Sequence, residues 1–179
     1  RLLRLILKPI ILIILNNEKV HLIFQNKNDK NYFEKFGIKN FKSAQIIPGS
    51  GVDMNFFKSN KIHKFSSPIK LLFPSRIIKE KGIKELIAAH NKLCTKGILV
   101  DLLIAGKIDY GNRSHIENNL KNYLLNNKNI YLLGHVDDMR TLYDEVDIVV
   151  LPSWREGLSK SIIEAGSMGK TIITTNVPG

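Results

Sequence analysis

From residue 69 onward the chain alternates between short, almost wholly apolar runs and longer stretches in which apolar residues recur every three or four positions. The runs 69–74, 99–105 (LVDLLIA), 129–133, 147–151 (DIVVL) and 171–175 (TIITT) have the aliphatic and β-branched content of strands. Between the first two, residues 83–96 set Ile83, Leu86, Ile87 and His90 on one helical face. Further helices are expected over 113–125, over 139–145 with Asp137 or Asp138 as N-cap, and over 158–168. Strands and helices alternating at this spacing predict right-handed crossovers and a parallel sheet flanked by helices. The unbroken apolar runs agree, because parallel strands are covered on both faces. The fold class is α/β.

The first 67 residues follow a different pattern. Residues 1–15 (RLLRLILKPIILIIL) are apolar but broken by Arg4, Lys8 and Pro9, too short to span a bilayer and without a small-residue cleavage site. They read as a buried helix. A strand at 20–25, a helix at 28–36 stopped by Gly37, a strand at 43–47 and a turn cluster at 48–51 follow. Residues 52–67 are polar and irregular, as a linker would be. The expected organisation is the end of one domain over 1–50, a linker over 51–67 and a second domain over 68–179. The abrupt start and stop read as a fragment cut at both ends.

Composition narrows the function classes. The net charge of +11 is carried by lysine, in a chain also rich in Ile and Asn, as an AT-rich coding sequence would give. No basic helix with interleaved aromatics appears, so a nucleic-acid partner is not expected. A positive field would instead assist approach to diphosphates or to an anionic membrane surface. One cysteine, Cys94, allows no internal disulfide and reads as a core residue. No G-x-G-x-x-G follows a strand, no Walker loop is present and no D-x-D occurs, so neither a cofactor nor a metal is implied.

Candidate chemistry concentrates in residues 155–165, REGLSKSIIEA. Glu156 lies in a turn after the apolar run 147–151, and Glu164 lies inside the helix that follows. Free N–H groups at such a helix start, here Gly157, Leu158 and Ser159, attract an anionic ligand. A carboxylate on either side can hold hydroxyls next to that anion, which suits a nucleotide sugar. After the first strand of the alternating region, Arg76 and Lys81 stand five apart in a loop, followed by Gly82, and two cations there can neutralise a diphosphate. Gly106 ends the second strand, and the loop 134–136 (GHV) follows the third.

With its flanking Pro-Ser-Trp and the Glu-Ala-Gly-Ser-Met-Gly that ends the helix, this stretch resembles the E-x7-E signature of retaining glycosyltransferases with the GT-B fold, of the family 4 type. The R-x4-K loop, the Ala-Gly step at Gly106, the 134–136 loop and residues 49–53 (GSGVD, where Ser50 stands for an asparagine) resemble other segments of that family. The resemblance implies a Rossmann-like donor-binding domain that follows the end of an acceptor-binding domain. It implies transfer of a sugar from a UDP- or GDP-linked donor to a glycan or lipid-linked acceptor with retention, in surface polysaccharide synthesis. The enzyme would be cytoplasmic, with peripheral contact to the inner face of the membrane. Glu156 would be catalytic. Arg76, Lys81, Gly106, Val136, Gly157, Leu158, Ser159 and Glu164 would bind the donor, with Asp53 at the cleft. His135 is read as a loop residue beside the base, not as a general base. The family's glycine-rich loop and its sugar-contacting histidine lie outside this chain, so the fragment itself is expected to be inactive. A nucleotide-sugar epimerase of the same fold and a non-catalytic nucleotide-binding module are the alternatives.

Overall fold

A computed structural model describes residues 2–49, 51–59, 61, 64, 65 and 67–177. Of the segments singled out above, Arg1, Ser50, Asn60, Ile62, His63, Ser66, Pro178 and Gly179 lie outside the described residues. The chain runs α1 (Leu2–Leu15), β1 (His21–Phe24), α2 (Lys27–Phe36), β2 (Ser43–Ile46), β3 (Ile69–Phe73), a 3-10 turn (Lys79–Lys81), α3 (Ile83–Thr95), β4 (Val100–Ala105), α4 (Asn118–Asn126), β5 (Ile130–Gly134), α5 (Met139–Glu145), β6 (Ile148–Leu151), α6 (Lys160–Ser167) and β7 (Thr171–Thr174).

β3 to β7 form one five-stranded sheet in the order β5-β4-β3-β6-β7, every neighbouring pair parallel. β1 and β2 form a separate parallel pair. Alternate residues of the strands serve opposite faces of the large sheet. Leu71, Phe73, Leu102 and Ile104 pack with Ile83, Leu86 and Ile87 of α3 and Leu124 of α4. On the other face Leu72, Ala105 and Val149 pack with Leu142 and Tyr143 of α5 and Ala165 and Met168 of α6. Each fully buried aliphatic side chain contributes roughly 1.5–3 kcal/mol, so both helical layers are needed to hold the strands. Asp147, at the foot of β6, is buried, and its carboxylate accepts the Lys70 N–H at 2.7 Å, which pins β6 to β3.

Four expectations need correction. Residues 113–117 are not helical. Asn112 Oδ1 accepts the Ser114 N–H, Ser114 O accepts the Lys79 N–H at 2.9 Å, and His115 bridges to Ile78, so the segment pairs with the loop after β3. Side chains that bond nearby backbone compete with helix formation there. α6 starts at Lys160, two residues late. The stretch expected as a polar linker is irregular and mostly exposed where it is described, with one anchor on the domain. Phe57 joins the core on the α5–α6 face, its ring meeting that of Tyr143 with centroids 6.5 Å apart, and Phe57 O accepts the Ser167 hydroxyl. The opening helix is not buried either, since Ile6, Ile10, Ile13 and Ile14 are exposed. Cys94, expected in the core, is only half-buried, 3.8 Å from His90 Nε2.

Asp138 is the N-cap of α5, as one of the two expected choices. Its carboxylate takes the Arg140 guanidinium at 2.6 Å and the Arg140 N–H at 3.0 Å, and these bonds, the side-chain one foremost, lower its pKa from 3.8 to about 2. A carboxyl whose pKa is lower in the folded state stabilises the fold at high pH. The contribution is complete above about pH 4 and is lost as pH falls towards 2. Thermal melts of wild type and Asp138→Asn, whose amide still caps, should differ near neutrality and converge as pH falls through that window. A difference that persists at pH 2 would contradict this origin.

Candidate functional site

In the strand order, the chain grows outward from β3 through β4 to β5, then returns through α5 to place β6 on the other side of β3. The loops after β3 and β6 therefore leave in opposite directions and open a crevice between them. Ligands of doubly wound sheets bind outside the carboxyl ends of the strands at such a switch point.

Glycine brings the two loops into contact. Gly82, between the 3-10 turn and α3, has a φ of 74°, and a Cβ there would lie 1.9 Å from the carbonyl oxygen of Pro152. The Trp154 N–H donates to Glu80 O at 2.8 Å, and its indole donates to Glu85 at 3.0 Å. Lys81 and Glu156, 75 residues apart in sequence, consequently meet. Lys81 Nζ donates to Glu156 Oε1 at 2.6 Å, and both side chains are only about one-fifth exposed. The same oxygen accepts the Ser153 hydroxyl at 2.6 Å, and Ser153 is itself buried. Two charge-assisted bonds on one oxygen fix the glutamate side chain and leave its other oxygen available.

Arg76 is placed differently. Its guanidinium bonds Asp109 at 2.7 Å and is 60% exposed. Asp109 belongs to the loop after β4, held at the site by a bridge between Ile77 and Ile108 and by the Ser114 hydroxyl, which donates to Glu80. Gly106 lies beneath this crossing, where a Cβ would meet Ser75 O at 1.9 Å. Its close approach is thus to neighbouring backbone. It also lines, with Ile77 and Gly134, a cavity of about 360 Å³.

Gly157, Leu158 and Ser159 lead into α6, with Ser159 as the N-cap. The first N–H groups of this helix have no carbonyl four residues back. Glu164, one turn on, is 8% exposed and lines a cavity of about 690 Å³ together with Lys160, Met139, Asp53 and Phe57. Asp53 carries both readings open to it, since it borders that cavity while its Oδ1 accepts the N–H groups of Asn55 and Phe56. Val136 is half-buried against the α5–α6 core. His135 is exposed and pairs with Asp137 at 3.2 Å, which accords with a loop residue.

Three neighbours come from the β1–β2 region and the turn after it. Asp29 pairs with Arg155 at 2.5 Å, the Gln25 side chain lies against Gly157, and Gly49, within the 49–53 segment singled out above, lies against Leu158. The sequence reading missed Asp29 and Gln25, because their contacts span more than 100 residues and nothing in the local pattern marks them. Ser153 was legible only as part of a turn. Among the described residues no group of three or more His, Cys, Asp and Glu side chains could hold a metal ion, and no helix is long and apolar enough to cross a membrane.

Fold and site together define a doubly wound α/β domain with a charged crevice at its switch point. Residues 55–179 match the glycosyl transferases group 1 family, and the chain belongs to it. It is 32% identical over 148 residues to the capsular polysaccharide biosynthesis glycosyltransferase CapM of Staphylococcus aureus, which covers 82% of this chain and 34% of CapM. It is 28% identical over 171 residues to the N,N'-diacetylbacillosaminyl-diphospho-undecaprenol alpha-1,3-N-acetylgalactosaminyltransferase of Campylobacter jejuni, over 88% of this chain and 42% of that enzyme. The chain thus spans less than half the length of either relative. Among solved structures, Anabaena Alr3699/HepE in complex with UDP and glucose superposes with a TM-score of 0.72 over 95% of this chain and 48% of its own, at 18% identity. The C-terminal domain of a glycosyl transferase group 1 protein (LpcC) from Francisella tularensis superposes with a TM-score of 0.58 over 71% of each chain, at 22% identity. At these identities the superpositions establish the GT-B architecture.

Proposed function

We propose that this chain is the donor-binding part of a retaining glycosyltransferase that moves a hexose-type sugar from a nucleoside diphosphate to a glycan or lipid-linked acceptor in surface polysaccharide assembly. The observation that carries the reading is the meeting of Lys81 and Glu156 at the switch point, 2.6 Å apart, in a member of this family. The acceptor class draws on the two bacterial relatives, whose names specify capsular polysaccharide and a diphospho-undecaprenol substrate. With acceptors of that kind the enzyme would work at the cytoplasmic face of the membrane.

In this reading the diphosphate lies over the start of α6, between Lys81, Arg76 and the N–H groups of Gly157, Leu158 and Ser159. Glu156 holds hydroxyls of the donor sugar and stabilises positive charge at its anomeric carbon. Glu164 holds the ribose. The bond from the anomeric carbon to the leaving phosphate oxygen breaks while the acceptor oxygen bonds on the same face, and the acceptor proton passes to that phosphate. Counter-charge to the leaving group comes from Lys81 and Arg76, with no metal required. Their present carboxylate partners, Glu156 and Asp109, would share these cations with the diphosphate.

The test is calorimetric titration of the chain with UDP and with GDP, beside an Arg76→Ala, Lys81→Ala double variant. One nucleotide should bind, and the double variant should lose about 10- to 100-fold in affinity through two missing charge-assisted contacts. A folded chain that binds neither nucleotide, or a double variant that binds as well as wild type, would remove the donor-site assignment. Turnover belongs to the complete protein, where conversion of the donor sugar without acceptor would point to an epimerase.

A further inference from the structure

The two glutamates of the site are held in different ways. Glu156 has a close cation. Glu164 has Lys160 only at 3.8 Å, from a lysine that is 69% exposed. Its firmer neighbour is a neutral donor, since Glu164 Oε2 lies 3.2 Å from the hydroxyl of Tyr143.

Tyr143 comes from α5 and is wholly buried. Its ring is enclosed by the α5–α6 core and meets Phe57 edge-on, so the segment before β3 closes over it. Its hydroxyl also lies 3.0 Å from Ser161 O in the first turn of α6. One proton is therefore shared between two acceptors in a three-centre bond. Shape alone would be satisfied by phenylalanine, and a buried hydroxyl is costly unless it is used. Burial, and after it the charge of Glu164, push the phenol well above its ordinary range, so Tyr143 stays protonated and faces the carboxylate as a donor.

We propose that Tyr143 is a positioning residue for ribose recognition, its hydroxyl fixing Glu164 toward the cavity that the carboxylate lines. The proposal rests on the nucleotide-sugar reading of that cavity. A glutamate side chain has three rotatable bonds, and holding it before the ligand arrives removes an ordering cost from binding. Loss of the hydroxyl would leave the cavity and the diphosphate contacts in place while freeing the carboxylate. The defect should therefore appear in the ribose contact and not elsewhere.

The experiment titrates the chain with the nucleoside diphosphate it binds and with the 2'-deoxy analogue, for wild type, Tyr143→Phe, Glu164→Gln and the double variant. Wild type should favour the ribonucleotide. Tyr143→Phe should weaken the ribonucleotide by about 5- to 10-fold, less than the full worth of a hydrogen bond to a charged group because the hydroxyl acts through Glu164, and leave the deoxy form nearly unchanged. In the Glu164→Gln background the same change should have little further effect, as expected of a residue acting through another. Equal weakening of both nucleotides, no weakening, or full additivity with Glu164→Gln would overturn the proposal. Should Tyr143→Phe not fold, the hydroxyl proton of Tyr143 supplies the reading by NMR. It should exchange slowly in wild type and shift in Glu164→Gln, and an unmoved resonance would overturn the assignment. If wild type binds neither UDP nor GDP, the donor-site reading itself falls and takes this proposal with it. Binding with unaltered ribose discrimination sinks only the role of Tyr143.

Discussion

Glu156→Gln in the complete enzyme should lower kcat by about 10²- to 10³-fold, with a much smaller change in the donor KM. Glutamine keeps the shape and can still accept from Ser153 and Lys81, whose bonds to Oε1 are both 2.6 Å. On the proposed reading, what it removes is a fixed negative charge beside the carbon at which positive charge would develop as the diphosphate leaves. Interactions stronger in the transition state than in the ground state appear in kcat, and preorganised electrostatic groups are worth this much in a partly enclosed site. The glutamate is preorganised by partners on both flanking loops and is only 17% exposed. The measurement is steady-state kinetics with donor and acceptor varied separately. Turnover within threefold of wild type would show that Glu156 is a structural partner of Lys81 and nothing more.

Gly82→Ala should be the most damaging Gly→Ala change among the described glycines, destabilising the chain by about 2–5 kcal/mol and weakening nucleotide binding as well. Two penalties coincide there. A φ of 74° is strained for any residue with a Cβ, and the new carbon would overlap the Pro152 carbonyl at 1.9 Å. The obstacle is backbone, so no side chain can swing away, and relief must separate the loop after β3 from the loop after β6. That separation also moves Lys81 from Glu156. Gly97, with a similar φ of 77° but nothing within 4 Å of its Cβ, is the control. Gly97→Ala should cost only the conformational part, about 1 kcal/mol, and leave binding intact. Urea denaturation with nucleotide titration reads both quantities, and equal effects at the two glycines would mean that the loop contact carries no weight.

Some of this was legible along the chain because it depends on neighbours. The stripe of Ile83, Leu86, Ile87 and His90 gave α3, and all four residues are buried. Asp138 capped α5 because its side chain needs only the next turn. Periodicity failed where long-range pairing won. Residues 113–117 carry helix-compatible residues, but the strand-like bridge to Ile78 claims them. Phe57 gave no signal because Phe56, Phe57 and Phe65 show no period among the polar residues around them, and only the α5–α6 layer gives Phe57 a place to pack. Asp109, Asp29 and Gln25 carried no signal, since their roles arise from partners 33 to 132 positions away.

By itself the sequence determined the α/β class and the order of elements, and it singled out two glutamates and two cations, because propensity, alternation and loop residues act over a few positions. It did not determine which strands are neighbours. The order β5-β4-β3-β6-β7 puts β6 beside β3, and from that adjacency follow the crevice, the contact of Gly82 with Pro152 and the pairing of Lys81 with Glu156. Only the tertiary structure decided this. An apolar strand buried on both faces carries no label for its partner, and the choice is made by how the helices of both layers pack once the whole sheet exists.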